Sequence, residues 1–429
     1  MLVIKCYTNS MNIYFSGIGG VGIGPLAEIA HDAGYHVAGS DTEESLMTKE
    51  LRQKDIMISN LQDGSFLQAR HRDRPIDWFI YTSALPDNHP ELIMARNLGI
   101  HTAKRDELLS FIINDKNLKL IGVAGTHGKT TTTSMIVWSL IQLGVPISYS
   151  VGTTIKFGPS GKFDPASQYF IYECDEFDRN FLHFAPYLSV ITSLDYDHPD
   201  TYPTEADYLD AFKKFAIGSN QVISWDDQHS ELFKDLPQTT ILASNDIMST
   251  ITLAGEHNRR NATIAMTAVK QLGFTQMTED IINSFPGASR RFEKLDNNLY
   301  SDYGHHPVEI AATLQLAREI SDHVVLIYQP HQNIRQHKIR DQYTNQFELA
   351  EKIYWLPTYL SREDPNLPIL KPEELIQNIT NNDSIEVADF NEKLWTDIQD
   401  ERDQGKLVLF MGAGKIDSWL REKIAESKK

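Results

Sequence analysis

The chain has 429 residues, enough at roughly 100–200 residues per domain for two to four domains, each able to bury its own core. With 41% hydrophobic and 23% charged residues the composition is that of a globular protein, which excludes disorder, collagen and coiled coil as descriptions of the whole. The 58 acidic residues against 40 basic ones leave a formal net charge of -18, so nucleic acid and anionic membranes are repelled and any phosphate-bearing ligand needs a local site.

Residues 1–10 carry no expected chemistry and lack the pattern of a signal peptide, and no apolar run approaches the roughly 18 residues of a membrane span. Two cysteines, Cys6 and Cys174, make no disulfide framework, so a reducing, cytoplasmic setting is expected. NIYFSG (from Asn12) predicts a strand, Gly22 to Ala33 a helix, HVAGS (from His36) a second strand and WFIYTS (from Trp78) a later one, a βαβ series over a parallel sheet. After Asn114–Asn117 the strand KLIGVA opens a second unit. It continues through a long helix after GTHGK, the strands YFIYE and LSVITS, a helix over Thr204 to Ala216, the strand QVISW and a helix from near His257. From Leu299 a third series follows, with YSDYG, a helix over Pro307 to Ile320, the strands HVVLIY, KIYWLP and KLVLFM, and a closing helix. The expected divisions are residues 1–114, 115–294 and 295–429, all α/β.

The strongest local signal is GVAGTHGKTTTT, between a predicted strand and a predicted helix. A phosphate chain needs inward backbone N–H groups, a lysine charge and a hydroxyl on a metal; Gly125 to Thr131 offer these, with Lys129 for phosphate and Thr130 for Mg2+, and ATP is the expected nucleotide. The first glycine of the strict spacing is replaced by Val123. GIGGVG, Gly17 to Gly22, again follows a strand, and Asp41 closes the next strand. That pattern suits a nicotinamide or flavin cofactor or another diphosphate ligand, and a tight structural turn is a third reading.

Two acidic runs, ECDEFD (Glu173 to Asp178) and DYDHPDTY (Asp195 to Tyr202), end strands of the ATP-loop unit. In a parallel sheet the crevice lies beyond the carboxyl strand ends, so Glu173 and His198 can converge on phosphates held by Lys129 and share Mg2+ with Thr130; a solvated acidic rim is the plain alternative. Three weaker groups follow: His257, Asn258 and Asn261 at a helix start, the His305–His306 pair before a helix, and the basic stretch His331 to Arg340 after a strand, where an arginine could grip a carboxylate.

Taken in order, GIGGVG, TSALPDNHPEL, GTHGKTTT, ECDEFD, DYDHPDTY, GEHNRRNA, FPGASRRFE, DYGHHP, QPH and MGAG resemble the Mur ligase family, the ATP-dependent amide-forming ligases of peptidoglycan precursor synthesis, over nearly the whole chain. The resemblance implies a Rossmann-like N-terminal domain for UDP-N-acetylmuramate, a central P-loop ATPase domain with a mostly parallel sheet, and a Rossmann-like C-terminal domain for the amino acid. It assigns Gly17, Ile18, Gly19, Gly20, Val21, Gly22, Asp41 and Ser83 to the UDP-sugar and Gly125, Thr126, His127, Gly128, Lys129, Thr130 and Thr131 to ATP. His257, Asn258, Asn261, Arg291 and Asp302 join the ATP set, and His306, His331 and Arg335 serve the amino acid. Lys129, Glu173 and His198 are implied as the catalytic residues, with Thr130, Glu173 and His198 on the metal. The closest branch adds L-alanine, and a monomer or homodimer is expected; the tripeptide-recycling branch is the nearest rival, followed by a nicotinamide-dependent oxidoreductase and a non-catalytic nucleotide-binding protein.

The alanine-adding branch usually carries arginines directly after the QPH histidine and three residues later; here the first position is Gln332 and Arg335 fills the second. Phe177 is similar to an aromatic of the tripeptide branch, and Lys213, near a position of carbamylated lysine in several Mur ligases, is read as an exposed helical lysine.

Overall fold

A computed structural model describes residues 11–82, 85–198, 201–236, 238–361 and 363–428; Ser83 lies outside them. Among the described residues three sheets are present, the first two formed within the first two predicted α/β series and the third by the series from Leu299 together with Glu293–Asp296 just before it. The first is all parallel, in the order Met57–Ser59, His36–Ser40, Asn12–Ser16, Trp78–Tyr81, His101–Lys104.

The second runs Thr239–Leu242, Gln221–Trp225, Leu188–Ile191, Lys119–Ala124, Tyr169–Glu173, Ser148–Ser150, Gly161–Lys162, parallel except for the last strand. The third runs Glu293–Asp296, Leu299–Asp302, Leu407–Met411, Val324–Tyr328, Lys352–Trp355, Ile385–Val387, with only its first strand antiparallel. Parallel strands covered by helices on both faces read as unbroken apolar runs, and Val324–Tyr328 and Leu407–Met411 are buried at every position.

The strands without a sequence signal, Met57–Ser59, His101–Lys104, Ser148–Ser150, Gly161–Lys162, Thr239–Leu242, Glu293–Asp296 and Ile385–Val387, are short and partly exposed edges or neighbours of edges, where neither periodicity nor an apolar run develops. The first helix starts at Gly24 rather than Gly22, with Pro25 in its first turn, so all the glycines of GIGGVG stay in the loop.

By compactness the described chain divides in two. Residues up to Asp246 with Ala262–Phe285 form one unit, and Ile247–Asn261 with Pro286 onward form the other. In the first unit one apolar core runs from Ile13, Phe15 and Leu26 through Leu120 and Phe170 to Phe212 and Phe215, binding the first two sheets together. In the second, the two faces of the third sheet carry separate cores, one around Tyr328, Phe347 and Trp355 and the other around Leu394, Phe410 and Leu420. Among the described residues no helix is long and apolar enough to cross a membrane. Lys213 is exposed on the helix Glu205–Ile217.

Candidate active site

The strand Lys119–Ala124 ends at Gly125, and the helix Lys129–Gln142 starts after Gly128. Gly125 has φ +137° and Gly128 φ +83°, values that favour glycine. A Cβ on Gly125 would also lie 2.3 Å from Thr192 Oγ1 and 2.9 Å from the backbone N and O of Ser193. The end of the neighbouring strand ties the loop down: Thr126 Oγ1 donates to Asp195 O (2.7 Å), His127 N to Ser193 Oγ (2.9 Å) and Thr192 Oγ1 to His127 O (2.5 Å). With glycine at the N-cap, the N–H groups of the first helical turn have no side chain of their own cap over them, the ordinary arrangement for an anion site. Thr130 and Thr131 sit buried in that turn.

Lys129 Nζ donates to Gly125 O (2.5 Å), Thr126 O (3.2 Å) and Glu176 Oε1 (2.9 Å). Burial alone would drive the ammonium toward neutrality, but Glu176, Asp175 and Glu173 outweigh it and raise its pKa, so Lys129 keeps its proton. Burial pushes the Glu176 carboxyl up against the pull of Lys129 and His198. Glu176, 1% exposed, was not singled out within the run ECDEFD. A run of four acids after a strand end has no period that ranks its members, so only tertiary contact identifies it.

Within the predicted metal trio Thr130 touches Glu173, and His198 lies against Glu176. Glu173 Oε1 accepts from Thr130 Oγ1 (2.7 Å) and Glu173 Oε2 from Gly152 N (2.9 Å). His198, at φ +54°, places Nε2 3.7 Å from Glu176 Oε1 and 3.8 Å from Asp197 Oδ2, and its ring meets Phe177 edge-on at 5.3 Å. Among the described residues no three His, Cys, Asp or Glu side chains form a metal cage. The Thr130 hydroxyl and Glu173 carboxylate are hard oxygen donors beside a helix N-terminus, a set that fits Mg2+ completing its shell with phosphate oxygens and water.

In the first sheet, Gly17 N and Ile18 N both donate to Ser40 O (2.8 and 3.0 Å), and Gly19 N donates to Asp41 Oδ2 (2.7 Å). Asp41 thus closes on the loop itself, and Val21 stands 96% exposed at its tip. Sequence reasoning missed two residues here. Glu91 is fully buried, its Oε1 accepting from Tyr14 OH (2.6 Å) and its Oε2 from Ser16 Oγ (2.6 Å) and Ser40 Oγ (2.7 Å), so it holds the strand ends from which the glycine loop hangs. The only signal, an acid just after Pro90, reads as an ordinary first-turn helix residue. Arg105 lies against the loop, its Nη1 3.3 Å from where a Cβ on Gly22 would be, while Nε and Nη2 hold Asp106 at 3.3 and 3.4 Å.

The second unit carries the remaining predicted residues. His257, Asn258 and Asn261 open the helix Glu256–Gln271. Arg259 makes a two-pronged pair with Glu319, both contacts 2.9 Å, and Gly255 N joins the same carboxylate; bonding to Arg259 first of all pulls Glu319 down to about 2. His257 Nδ1 is buried with no hydrogen-bond partner among the described residues, and burial pushes the imidazole down to about 4. Asn258 Nδ2 donates to Ala254 O at 3.0 Å, and Asn261 is buried.

The buried Asp302 carboxylate takes Phe292 N and Gly304 N, each at 2.7 Å; burial pushes it up against the pull of Arg291, whose guanidinium lies 5.2 Å from the Tyr303 ring centre. His305, His331 and Arg335 come together: His305 Nε2 bonds Arg335, and its ring lies 5.3 Å from that of His331. His306 is the buried N-cap of the helix Pro307–Ile320. Gln332, at φ +60°, donates its N–H to Tyr359 O (2.8 Å) and starts the helix Asn333–Ile339.

Three family models match in chain order: the Mur ligase family catalytic domain over residues 12–117, the Mur ligase middle domain over 123–242 and the Mur ligase glutamate ligase domain over 290–414. The UDP-N-acetylmuramate–L-alanine ligase of Carboxydothermus hydrogenoformans is 31% identical over 450 residues, covering 94% of this chain and 94% of that protein. Its namesake in Caldicellulosiruptor bescii is 31% identical over 454 residues, covering 96% of this chain and 98% of that one. Among solved structures, the UDP-N-acetylmuramate–alanine ligase of Thermotoga maritima superposes with a TM-score of 0.74 at 23% identity, covering 98% and 100% of the two chains. The murein peptide ligase of Psychrobacter arcticus gives 0.63 at 22% identity, covering 97% and 98%. The likeness to these two structures is one of fold.

Proposed function

The chain belongs to the Mur ligase family, and on that footing we propose that it joins L-alanine to UDP-N-acetylmuramate with cleavage of ATP to ADP and phosphate. The γ-phosphoryl group of ATP passes to the muramoyl carboxylate, giving an acyl phosphate. The amine of L-alanine attacks the acyl carbon, and the tetrahedral adduct breaks its C–O bond to release phosphate as the nitrogen loses a proton. What supports this most is the braced P-loop, in which Lys129 is held charged by Glu176 while Thr130 is aligned by Glu173.

The work divides over residues 1–114 for the UDP-sugar, 115–294 for ATP and 295–429 for the amino acid. The N–H groups of Gly125 to Thr131 receive the phosphates, and Lys129 stabilises charge on the moving phosphoryl group. Thr130, Glu173 and His198 would hold Mg2+, the last lying beside Glu176; when bound, the ion supplies neutralisation of phosphate charge. Gly17 to Gly22 and Asp41 take the diphosphate side of the sugar nucleotide, with Arg105 as a further cation at that loop. His257, Asn258 and Asn261 serve adenine, Arg291 and Asp302 the rest of the nucleotide, and His331, Arg335 and the His305–His306 pair the amino acid.

The deciding experiment is phosphate release with ATP, Mg2+ and UDP-N-acetylmuramate, offering L-alanine, L-serine, glycine and the tripeptide separately. Rapid release with L-alanine and a product of matching mass is expected. Release with the tripeptide alone would move the chain to the peptide-recycling branch, and no amine-dependent release at all would sink the ligase reading.

A further inference from the structure

The glycine loop at residues 17–22 spends most of its own donors on the protein. Gly17 N and Ile18 N go to Ser40 O, Gly19 N to Asp41 Oδ2 and Gly20 N to Gly17 O, while Ile23 N and Gly24 N at the start of the following helix go to Gly20 O. Asp41 adds a carboxylate at the same place, on a chain of net charge -18. A diphosphate arriving here therefore needs a side-chain cation, since anions are held by converging N–H groups or by Lys and Arg.

Arg105 meets that need from the first turn of the helix Arg105–Asp115. Its Nη1 is turned to the loop, 3.3 Å from where a Cβ on Gly22 would stand, so glycine leaves the approach open. The side chain is 31% exposed, enough to reach a ligand, whereas its partner Asp106 is buried. Asp106 faces the Nε–Nη2 edge of the guanidinium, at 3.3 and 3.4 Å, and also takes the Tyr172 hydroxyl, from 66 positions further along the chain. The Tyr172 ring is buried and packs on Phe184 at 5.2 Å. Tyr172 immediately precedes Glu173 in the strand Tyr169–Glu173, where it pairs with Gly122 of the strand that leads into the ATP loop.

Stability does not account for this trio, because a buried ion pair gains little over apolar side chains of the same volume. What the trio achieves is orientation: a guanidinium is a planar fork, and gripping one edge of it fixes where its remaining N–H groups point. Resting on the sugar-nucleotide reading of residues 1–114, we propose that Arg105 is the main cation for the diphosphate and that Tyr172, acting through Asp106, is its positioning residue. The strand that carries Glu173 toward the ATP phosphates thereby also sets the grip on the other substrate, which a different sheet binds.

Calorimetric titration of the full chain with UDP, with UDP-N-acetylmuramate and, separately, with Mg2+ and a non-hydrolysable ATP analogue tests this without turnover. Tyr172→Phe should weaken both uridine nucleotides about three- to tenfold and Arg105→Met about tenfold or more, with the ATP analogue held to within about twofold. Arg105→Lys, which keeps the charge but cannot be gripped along one edge, should bind UDP no better than Tyr172→Phe. The double variant Arg105→Met with Asp106→Leu leaves no buried charge unmatched and should lose as much UDP affinity as Arg105→Met, so the result does not hang on a single variant that fails to fold. UDP binding by Tyr172→Phe at the wild-type level overturns the inference, as does equal weakening of UDP and the ATP analogue, which makes the tyrosine a structural prop of its strand. Loss confined to UDP-N-acetylmuramate, with UDP unaffected, also overturns it by placing Arg105 on the muramoyl carboxylate. Failure of the sugar-nucleotide reading shows instead in the wild type, which would bind the ATP analogue but neither uridine nucleotide, and takes the inference with it.

Discussion

Replacing Lys129 by methionine should damage the first unit in a way that depends on pH. The Lys129 ammonium is 2.9 Å from a carboxylate that is 1% exposed. At an effective dielectric near 20 their attraction is about 6 kcal/mol, partly offset by the several kcal/mol needed to desolvate each ion. Removing one partner of such a pair typically costs about 3–5 kcal/mol, because the survivor is left buried and unmatched.

Glu176→Gln should cost less, about 1–3 kcal/mol, since the Lys129 ammonium keeps Gly125 O and Thr126 O. The double variant should fall short of the sum of the singles by about 2 kcal/mol, the coupling of the pair. The sign with pH follows from Glu176, whose carboxyl burial already raises and Lys129 opposes. Without Lys129 its folded pKa rises further above the unfolded value, so stability is retained at pH 5 and lost as pH climbs toward 8. Native-state hydrogen exchange of peptides within Lys119–Gln142 reads this locally, which suits a chain of two compact units. Phosphate release should fall at least about 100-fold in Lys129→Met. A stability change below about 1 kcal/mol, equal losses at pH 5 and pH 8, or less than about tenfold loss of phosphate release would refute the reasoning.

Three further outcomes are expected. Gly125→Ala forces a Cβ to within 2.3 Å of Thr192 Oγ1 at φ +137°, so the loop must shift, with about 1–3 kcal/mol of strain and loss of ATP-dependent phosphate release, checked by melting and activity together. Removing Mg2+ with a chelator should stop phosphate release, and Glu173→Ala, which frees Thr130 Oγ1 and Gly152 N, should raise the half-saturating Mg2+ concentration about tenfold or more; an unchanged Mg2+ curve would exclude Glu173 from the metal. Glu91→Gln puts an amide N–H against hydroxyls that now donate to a carboxylate, costing about 1–3 kcal/mol and raising KM for the sugar nucleotide more than it lowers kcat, as steady-state kinetics would show.

Much was settled by the sequence alone because its signals are local. A glycine loop between an apolar run and a helical period announces a phosphate site from a few adjacent residues, and GTHGKTTT duly bridges the strand Lys119–Ala124 and the helix Lys129–Gln142. The central strands are legible for the same reason, being apolar at every position. What only the tertiary structure decided depends on groups distant in the chain. Glu176 became the partner of Lys129, and Glu91 the anchor of Ser16 and Ser40, because strand ends far apart in sequence meet at one edge of a sheet. His305 met Arg335 and His306 capped a helix, placements set by the turn before Pro307 and invisible in a pair of identical residues. Residues 247–261 joined the second unit, where Arg259 pairs with Glu319 of the helix Pro307–Ile320, an ion pair 60 positions apart that no composition or period marks. Local pattern reports backbone geometry, whereas the partner of a buried charge is set by desolvation, which acts only once the chain has folded around it.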